Sequence, residues 1–157
     1  MRHGKSSWNL PCSDFERPLK KRGQHEASAM GKHLVSLNIL PQFVQCSSAK
    51  RTMETFEYLC SGWNHEFDIE FIEELYHAPS DTLIEHSQLC PEKYHSQIII
   101  AHNPGMTDIQ SELEINEHPH MPTSACILIE LQNTPWKSWN KSHIHRAQIL
   151  KPSELFE

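Results

Sequence analysis

No stretch of this 157-residue sequence approaches the apolar length of about 18 residues that a membrane-spanning helix needs. The longest apolar block, Ile98-Ile99-Ile100-Ala101, has the length of a buried strand. No apolar segment follows the basic start Met1-Arg2-His3-Gly4-Lys5, so a secretory leader is not expected. Cysteine is sparse and unpatterned. Cys12, Cys46, Cys60, Cys90 and Cys126 are odd in number and form no CxxC, which argues for reduced thiols in a cytoplasmic setting rather than a disulfide framework. Positive charge is in deficit, with 14 Lys and Arg against 20 Asp and Glu and a net charge of -6. That disfavours a nucleic-acid partner, which leans on a basic surface, but leaves room for a local basic pocket. Repeats, low-complexity tracts and linkers are also missing, so a single domain over residues 1–157 is expected. The composition, 38% hydrophobic and 22% charged, is that of a globular domain with one core.

What is there is an alternation of strand and helix. A helix is predicted over about 18–36, where Met30 and Leu34, with Leu37 just beyond, recur at helical spacing and Ala27 is a small addition. A short strand is predicted at 43–46, then a helix capped by Ser48 and stopped at Gly62. Residues 67–72 alternate as a strand, and Ser80-Asp81 can cap a helix running to about 89. Residues 97–101 read as the clearest buried strand, and Asn103-Pro104 as the start of the next helix, with Asn as N-cap. Strands at 125–131 and 143–150, joined by a loop or hairpin connection containing Trp136 and Trp139, complete the chain. This pattern predicts a three-layer α/β/α sandwich around a mostly parallel sheet. Arg2-His3-Gly4 reads as a loop after a strand, yet only Met1 stands before it, so the expectation is either a truncated first strand or a site built on a frayed terminus. An upstream apolar stretch of about five residues would restore that strand.

Three segments carry candidate chemistry. Arg2-His3-Gly4 offers a cation, an imidazole and a pliable backbone. Arg51 falls in the first turn of a helix directly after a strand. His102 falls at a strand end directly before a helix. Ligand groups in parallel α/β folds sit just beyond the carboxyl ends of strands. Helix N-termini and Arg guanidinium groups both favour phosphate oxygens. Each fragment alone also has a plain structural reading, as a surface Arg or a hydrogen-bonded His. The pairs His118/His120 and His143/His145 have HxH spacing, but no third ligand matches them, so no metal and no other cofactor is expected.

Arg2-His3-Gly4-Lys5-Ser6-Ser7-Trp8, Asp14, Arg17-Pro18-Leu19 and Arg22-Gly23 resemble the histidine phosphatase, or phosphoglycerate-mutase-like, superfamily, and within it the SixA branch of phosphohistidine phosphatases. Ser48-Ala49-Lys50-Arg51-Thr52 with Thr55, Leu75-Tyr76-His77-Ala78, His102-Asn103-Pro104 and Pro122-Thr123-Ser124-Ala125 follow in that family's order. The resemblance implies a phosphoglycerate-mutase-like fold and a phosphatase that passes through a phosphohistidine intermediate. His3 would be the nucleophile, and Arg2, Arg51 and His102 would hold the phosphoryl oxygens. Ser6 and Asn103 would help bind phosphate. For efficient transfer His3 should be neutral and His102 protonated, so their environments are expected to push the two pKa values apart. The proton donor for the leaving group is open between Glu73, Glu74 and Asp14, with Glu74 taken forward as the candidate. The short chain leaves no room for a large insertion over the site, which suits a phosphorylated protein as partner, most of all one carrying phosphohistidine. A phosphatase for a small phosphorylated metabolite, or a phosphate-binding relative without turnover, are the alternatives.

Overall fold

The computed structural model describes residues 1–156. The elements, in chain order, are α1 (Lys21–Ser36), β1 (Phe43–Ser47), α2 (Lys50–Cys60), β2 (Asp68–Ile72), α3 (Ser80–Gln88), β3 (Gln97–Ile100), α4 (Gly105–Glu112), β4 (Cys126–Leu131) and β5 (Ile144–Leu150). Strands β2, β1 and β3 form a parallel sheet in that order, and β4 and β5 form an antiparallel pair.

Met1–His3 joins the two sheets. The Ala101 N–H donates to the Met1 carbonyl (3.0 Å) and the His3 N–H to the Ala101 carbonyl (3.1 Å), while on the other side the Arg2 N–H donates to the Ala125 carbonyl (3.0 Å). Arg2 is bridged in parallel to Ala101. The mostly parallel expectation holds for the three-stranded sheet, and β4–β5 is a separate antiparallel pair.

Period-two alternation splits the core into layers. Val44, Cys46, Ile98 and Ile100 face Met30 and Leu34 of α1 and Phe56 and Leu59 of α2. Ile99, Ala101, Ile127 and Ile129 face Leu83 of α3 and Met106 and Ile109 of α4. Helices α1 and α2 cross at Gly31, where a Cβ would meet the Leu59 carbonyl oxygen at 1.9 Å, so only glycine permits this approach.

The predicted side-chain caps do not form. The N-cap residues of α2, α3 and α4 are Ala49, Pro79 and Pro104, and none makes a side-chain cap bond. Instead of Ser48 capping α2, the Lys50 N–H is taken by the Phe15 carbonyl (3.0 Å), from the loop that crosses the carboxyl edge of the sheet. None of the described helices is long and apolar enough to cross a membrane.

Candidate active site

The carboxyl ends of β1 and β3 and the Met1–His3 segment deliver their side chains to one place. His3, Arg51 and His102 line the same cavity of about 240 Å³, together with Arg2, Arg17 and Asp14. The residues expected from three distant segments are thus brought together.

His3 is fixed at both ring nitrogens. Its Nδ1 lies 2.7 Å from the Gly4 carbonyl, an acceptor only, so Nδ1 carries the proton and Nε2 keeps its lone pair. Nε2 accepts from the Arg51 Nε–H at 3.3 Å. Burial pushes the His3 imidazole down to about 3; the Gly4 carbonyl opposes the shift, and Arg51, Arg2 and Arg17 add to it. The Gly4 N–H donates to Thr55 Oγ1 (2.9 Å), whose own hydroxyl donates to the Arg51 carbonyl (2.5 Å), so the His3 loop is pinned to α2. The same loop packs on Gly23, where a Cβ would meet the Lys5 carbonyl at 2.5 Å.

Arg51 is only 1% exposed and each guanidinium nitrogen is engaged. Nη1 donates to the Asp14 carbonyl (2.6 Å) and Nη2 to Asp14 Oδ2 (3.0 Å), with His77 Nε2 at 3.2 Å. Asp14 also accepts from Arg17 Nε (2.9 Å) and from the Tyr76 hydroxyl (2.5 Å). Burial alone would raise the Asp14 pKa. The Tyr76 hydroxyl, Arg51 and Arg17 together outweigh it and hold the carboxyl well below the usual carboxylate range. Asp14 is therefore a fixed anion that organises two arginines, not a proton donor.

His102 is 1% exposed, with Nε2 2.8 Å from Ser47 Oγ and no protein partner at Nδ1. Burial, then His3, Arg51 and His77, push its pKa down to about 2. The expectation that the two histidines diverge is corrected here. Both lose water and both face Arg51, with Arg2 and Arg17 acting on His3 and the other imidazoles on His102, so both are neutral in the free protein. A phosphoryl dianion beside His102 would reverse part of that shift.

The remaining candidates divide. Asn103 lines the cavity, with its Nδ2 3.4 Å from the Met121 carbonyl and its Oδ1 buried without a protein partner. Arg2 donates from Nη1 to the same carbonyl (2.7 Å), leaving Nε without one. Ser6 lines the cavity too, but its hydroxyl accepts from Arg17 Nη1 (2.7 Å), so it positions Arg17. Glu74 is not in the site. Its side chain is 78% exposed and pairs with His86 Nε2 at 3.2 Å. The turn at Glu73–Leu75 buries Leu75 and swings Tyr76 and His77 towards the cavity, which sends Glu74 outward. Among the described residues, no group of His, Cys, Asp and Glu is placed to hold a metal ion, and His143 of the second HxH pair instead accepts the Asn140 N–H through Nδ1 (3.2 Å).

Tyr76 and His77 are the site residues to which sequence reasoning gave no role. Their rings stack at 4.2 Å, both lie edge-on to His102 at 5.4 Å, and His77 holds a left-handed φ of 52°. A non-glycine residue at positive φ stores strain that the surrounding packing must offset. Trp8 also reaches the cavity rim, 71% exposed, with the Arg17 guanidinium 3.5 Å from its ring centroid.

Residues 1–93 match the histidine phosphatase superfamily (branch 1). An uncharacterized chloroplastic protein of Arabidopsis thaliana is 33% identical over 123 residues, covering 72% of this chain and 56% of that protein. An uncharacterized protein of Mycobacterium leprae is 33% identical over 113 residues, covering 69% of this chain and 68% of that protein. The chain thus spans little more than half the length of the plant relative. Among solved structures, a candidate phosphohistidine phosphatase SixA from Agrobacterium tumefaciens superposes with a TM-score of 0.70 at 25% identity, over 80% of this chain and 84% of that one. The protein histidine phosphatase SixA in complex with tungstate superposes with a TM-score of 0.80 at 24% identity, over 99% of this chain and 96% of that one.

Proposed function

Because this chain belongs to the histidine phosphatase superfamily, branch 1, with a SixA-like fold, we propose that it is a phosphatase whose substrate is phosphohistidine on a protein. The observation that carries this reading is the state of His3. Its Nδ1–H is spent on the Gly4 carbonyl, so Nε2 is unprotonated, accepts a long bond from Arg51 Nε–H (3.3 Å) and lines a cavity edged by three arginines.

The chemistry follows from those positions. Nε2 of His3 attacks phosphorus in line, the P–N bond to the enzyme forms and the bond to the substrate breaks. Arg2, Arg51 and His102 take up the charge on the equatorial oxygens. His102 Nε2 is bonded to Ser47 Oγ and Nδ1 has no protein partner, so the tautomer with its proton on Nδ1 can donate to an oxyanion. Water then attacks phosphorus, releasing phosphate and restoring the His3 lone pair.

Asp14 is the only carboxylate among the described residues lining the cavity, and two arginines and Tyr76 hold it ionised. A phosphate ester needs an acid to protonate its alkoxide leaving group. A departing imidazole needs far less help, which favours a P–N substrate. The cavity is also open and rimmed by the exposed Trp8, which suits a side chain presented by another protein better than an enclosed metabolite.

The test is turnover of a phosphohistidine-bearing protein against a panel of sugar, nucleotide and aryl phosphates. Preference for the protein by kcat/KM supports the proposal. Faster turnover of a small ester would assign a metabolite phosphatase instead, and phosphate binding with no hydrolysis of anything would assign a binding module.

A further inference from the structure

Charge is divided unevenly along the chain. Residues 1–51 hold nine Lys and Arg against three Asp and Glu, and residues 52–157 hold five against 17. Arg2, Arg17 and Arg51 line the active-site cavity, and Lys5 stands exposed at its mouth. The Lys20 N–H donates to the Lys5 carbonyl (2.7 Å), which brings Lys20 and Lys21 alongside. The Lys50 N–H donates to the Phe15 carbonyl (3.0 Å), on the loop that crosses the site. All four lysines are exposed, and among the described residues none of them is in an ion pair. The neighbouring carboxylates are committed elsewhere: Asp14 to Arg17 and Arg51, Glu26 to Arg22 (2.7 Å), and Glu54 to the Leu19 N–H (2.7 Å). A collar of free positive charge therefore borders the cavity.

Between Ser7 and Ser13 the chain projects from the domain. The Ser7 N–H donates to the Pro18 carbonyl (2.9 Å) at one root, and the Glu16 N–H to the Ser13 carbonyl (3.1 Å) at the other. Residues 8–13 are all exposed. Two of them are large and apolar, Trp8 and Leu10, and of the exposed large apolar side chains among the described residues Trp8 alone lines the cavity. Trp8 is nevertheless fixed. Its ring rests on the Arg17 guanidinium, which Asp14 and Ser6 hold in turn. An aromatic side chain set in place beforehand loses little freedom on contact, and Trp is enriched among the anchors of protein interfaces.

We propose that the loop Ser7–Ser13 and the lysine collar are the docking surface for the phosphorylated protein, and that this partner is acidic. Trp8 and Leu10 seat on an apolar patch beside its phosphorylated side chain, and Lys5, Lys20, Lys21 and Lys50 face carboxylates around that patch. The proposal rests on the phosphatase reading of the site. Charge complementarity selects the partner. Residues 52–157 repel an acidic protein and the collar attracts it, so encounters are steered to the cavity. A long polyanion such as a nucleic acid would meet the negative remainder over most of its length.

The experiment uses three substrates: an acidic and a basic protein, each phosphorylated on a surface histidine, and free phosphohistidine. The variants are Leu10→Ser and the double substitution Lys20→Glu with Lys21→Glu, none of which lines the cavity. The unmodified protein should favour the acidic phosphoprotein in kcat/KM by about tenfold or more at low salt, and the preference should shrink as salt rises. Leu10→Ser should raise KM for it by about five- to tenfold with kcat kept. The lysine variant should lower kcat/KM by about tenfold and flatten the salt dependence. Turnover of free phosphohistidine should stay within about twofold in both. Equal kcat/KM for the two proteins, an unchanged KM in Leu10→Ser, or equal losses on free phosphohistidine would overturn the proposal. Hydrolysis of none of the three would sink the phosphatase reading instead, and docking is then read by calorimetry with the acidic phosphoprotein. Affinity about tenfold weaker in both variants supports the surface, and equal affinity overturns it. Binding to phosphatidylserine vesicles that is lost in the lysine variant, with no preference between the two proteins, would assign the collar to a membrane surface and also overturn it.

Discussion

The two halves of the phosphate cup are built on opposite rules. On the Arg51 side, every guanidinium nitrogen has a protein partner and Asp14 accepts from Arg17, Arg51 and Tyr76. On the His102 side, Arg2 Nε, His102 Nδ1 and Asn103 Oδ1 are buried without one. A buried polar atom left unpaired costs about 1–3 kcal/mol. The saturated half holds its geometry whether or not substrate is present. The unsaturated half bears a standing cost, and a tetrahedral oxyanion can relieve the part that belongs to the nitrogens of Arg2 and His102. One half is a frame and the other a receptor, and His3, which bonds to Arg51 and packs 5.2 Å from the His102 ring, sits at the seam.

The sharpest way to break this comparison is at the seam. His3→Ala should abolish turnover, a loss of roughly 10³-fold or more in kcat, while inorganic phosphate still binds through the arginines. Near-normal kcat in that variant would remove His3 from the chemistry. Next, Arg51→Ala on the framed side should cost activity and stability together. It leaves Asp14 with only Arg17 and Tyr76 and the Asp14 carbonyl without its donor, a loss of about 1–3 kcal/mol; thermal melting and kcat/KM should both drop. A loss of activity with unchanged Tm would mean that the two halves do not differ as described.

On the receptor side, His102→Ala should lower kcat/KM by about 10²-fold, with Tm falling much less than in Arg51→Ala. The acid limb of stability sharpens the same contrast. His3 and His102 have folded pKa values of about 3 and about 2, below the ordinary value of 6.5. The unfolded chain therefore binds more protons between those values, and stability is intact above about pH 6.5 and lost as pH falls towards 3, by a few kcal/mol. Denaturant melts at pH 7 and pH 4.5 should show this loss, reduced in His102→Ala. Saturating phosphate should also reduce it, by raising the His102 pKa. The smallest effect belongs to Glu74→Gln, which should leave kcat within about twofold because the carboxylate points to His86 and away from the cup.

Much of the fold was legible because its signals are local. The apolar run Ile98–Ala101 and the helical spacing of Met30 and Leu34 predicted β3 and α1 with only small shifts at their ends. Side-chain caps misled because the helix starts open onto other chain segments: the Phe15 carbonyl does the work assigned to Ser48. In the site, the order of motifs carried Arg2, His3, Arg51 and His102 to one cavity. What could not be read was which neighbours saturate which group. Asp14 looked like a possible acid until Tyr76, distant in sequence, closed on it. His102 looked like a cation until three arginines and a second imidazole were seen to share its pocket. Glu74 was misplaced by a single turn of 3₁₀ helix, a geometry that sequence spacing does not announce.

The central claim concerns one atom, the unprotonated Nε2 of His3. A rapid quench of the protein with a radiolabelled phosphohistidine-bearing protein, followed by peptide mapping, reads it directly. The expected result is an acid-labile, base-stable phosphoryl group on His3, absent from His3→Ala and formed fast enough to account for turnover. Hydrolysis that proceeds with no label on His3, or with label on another residue at the same rate, would contradict it.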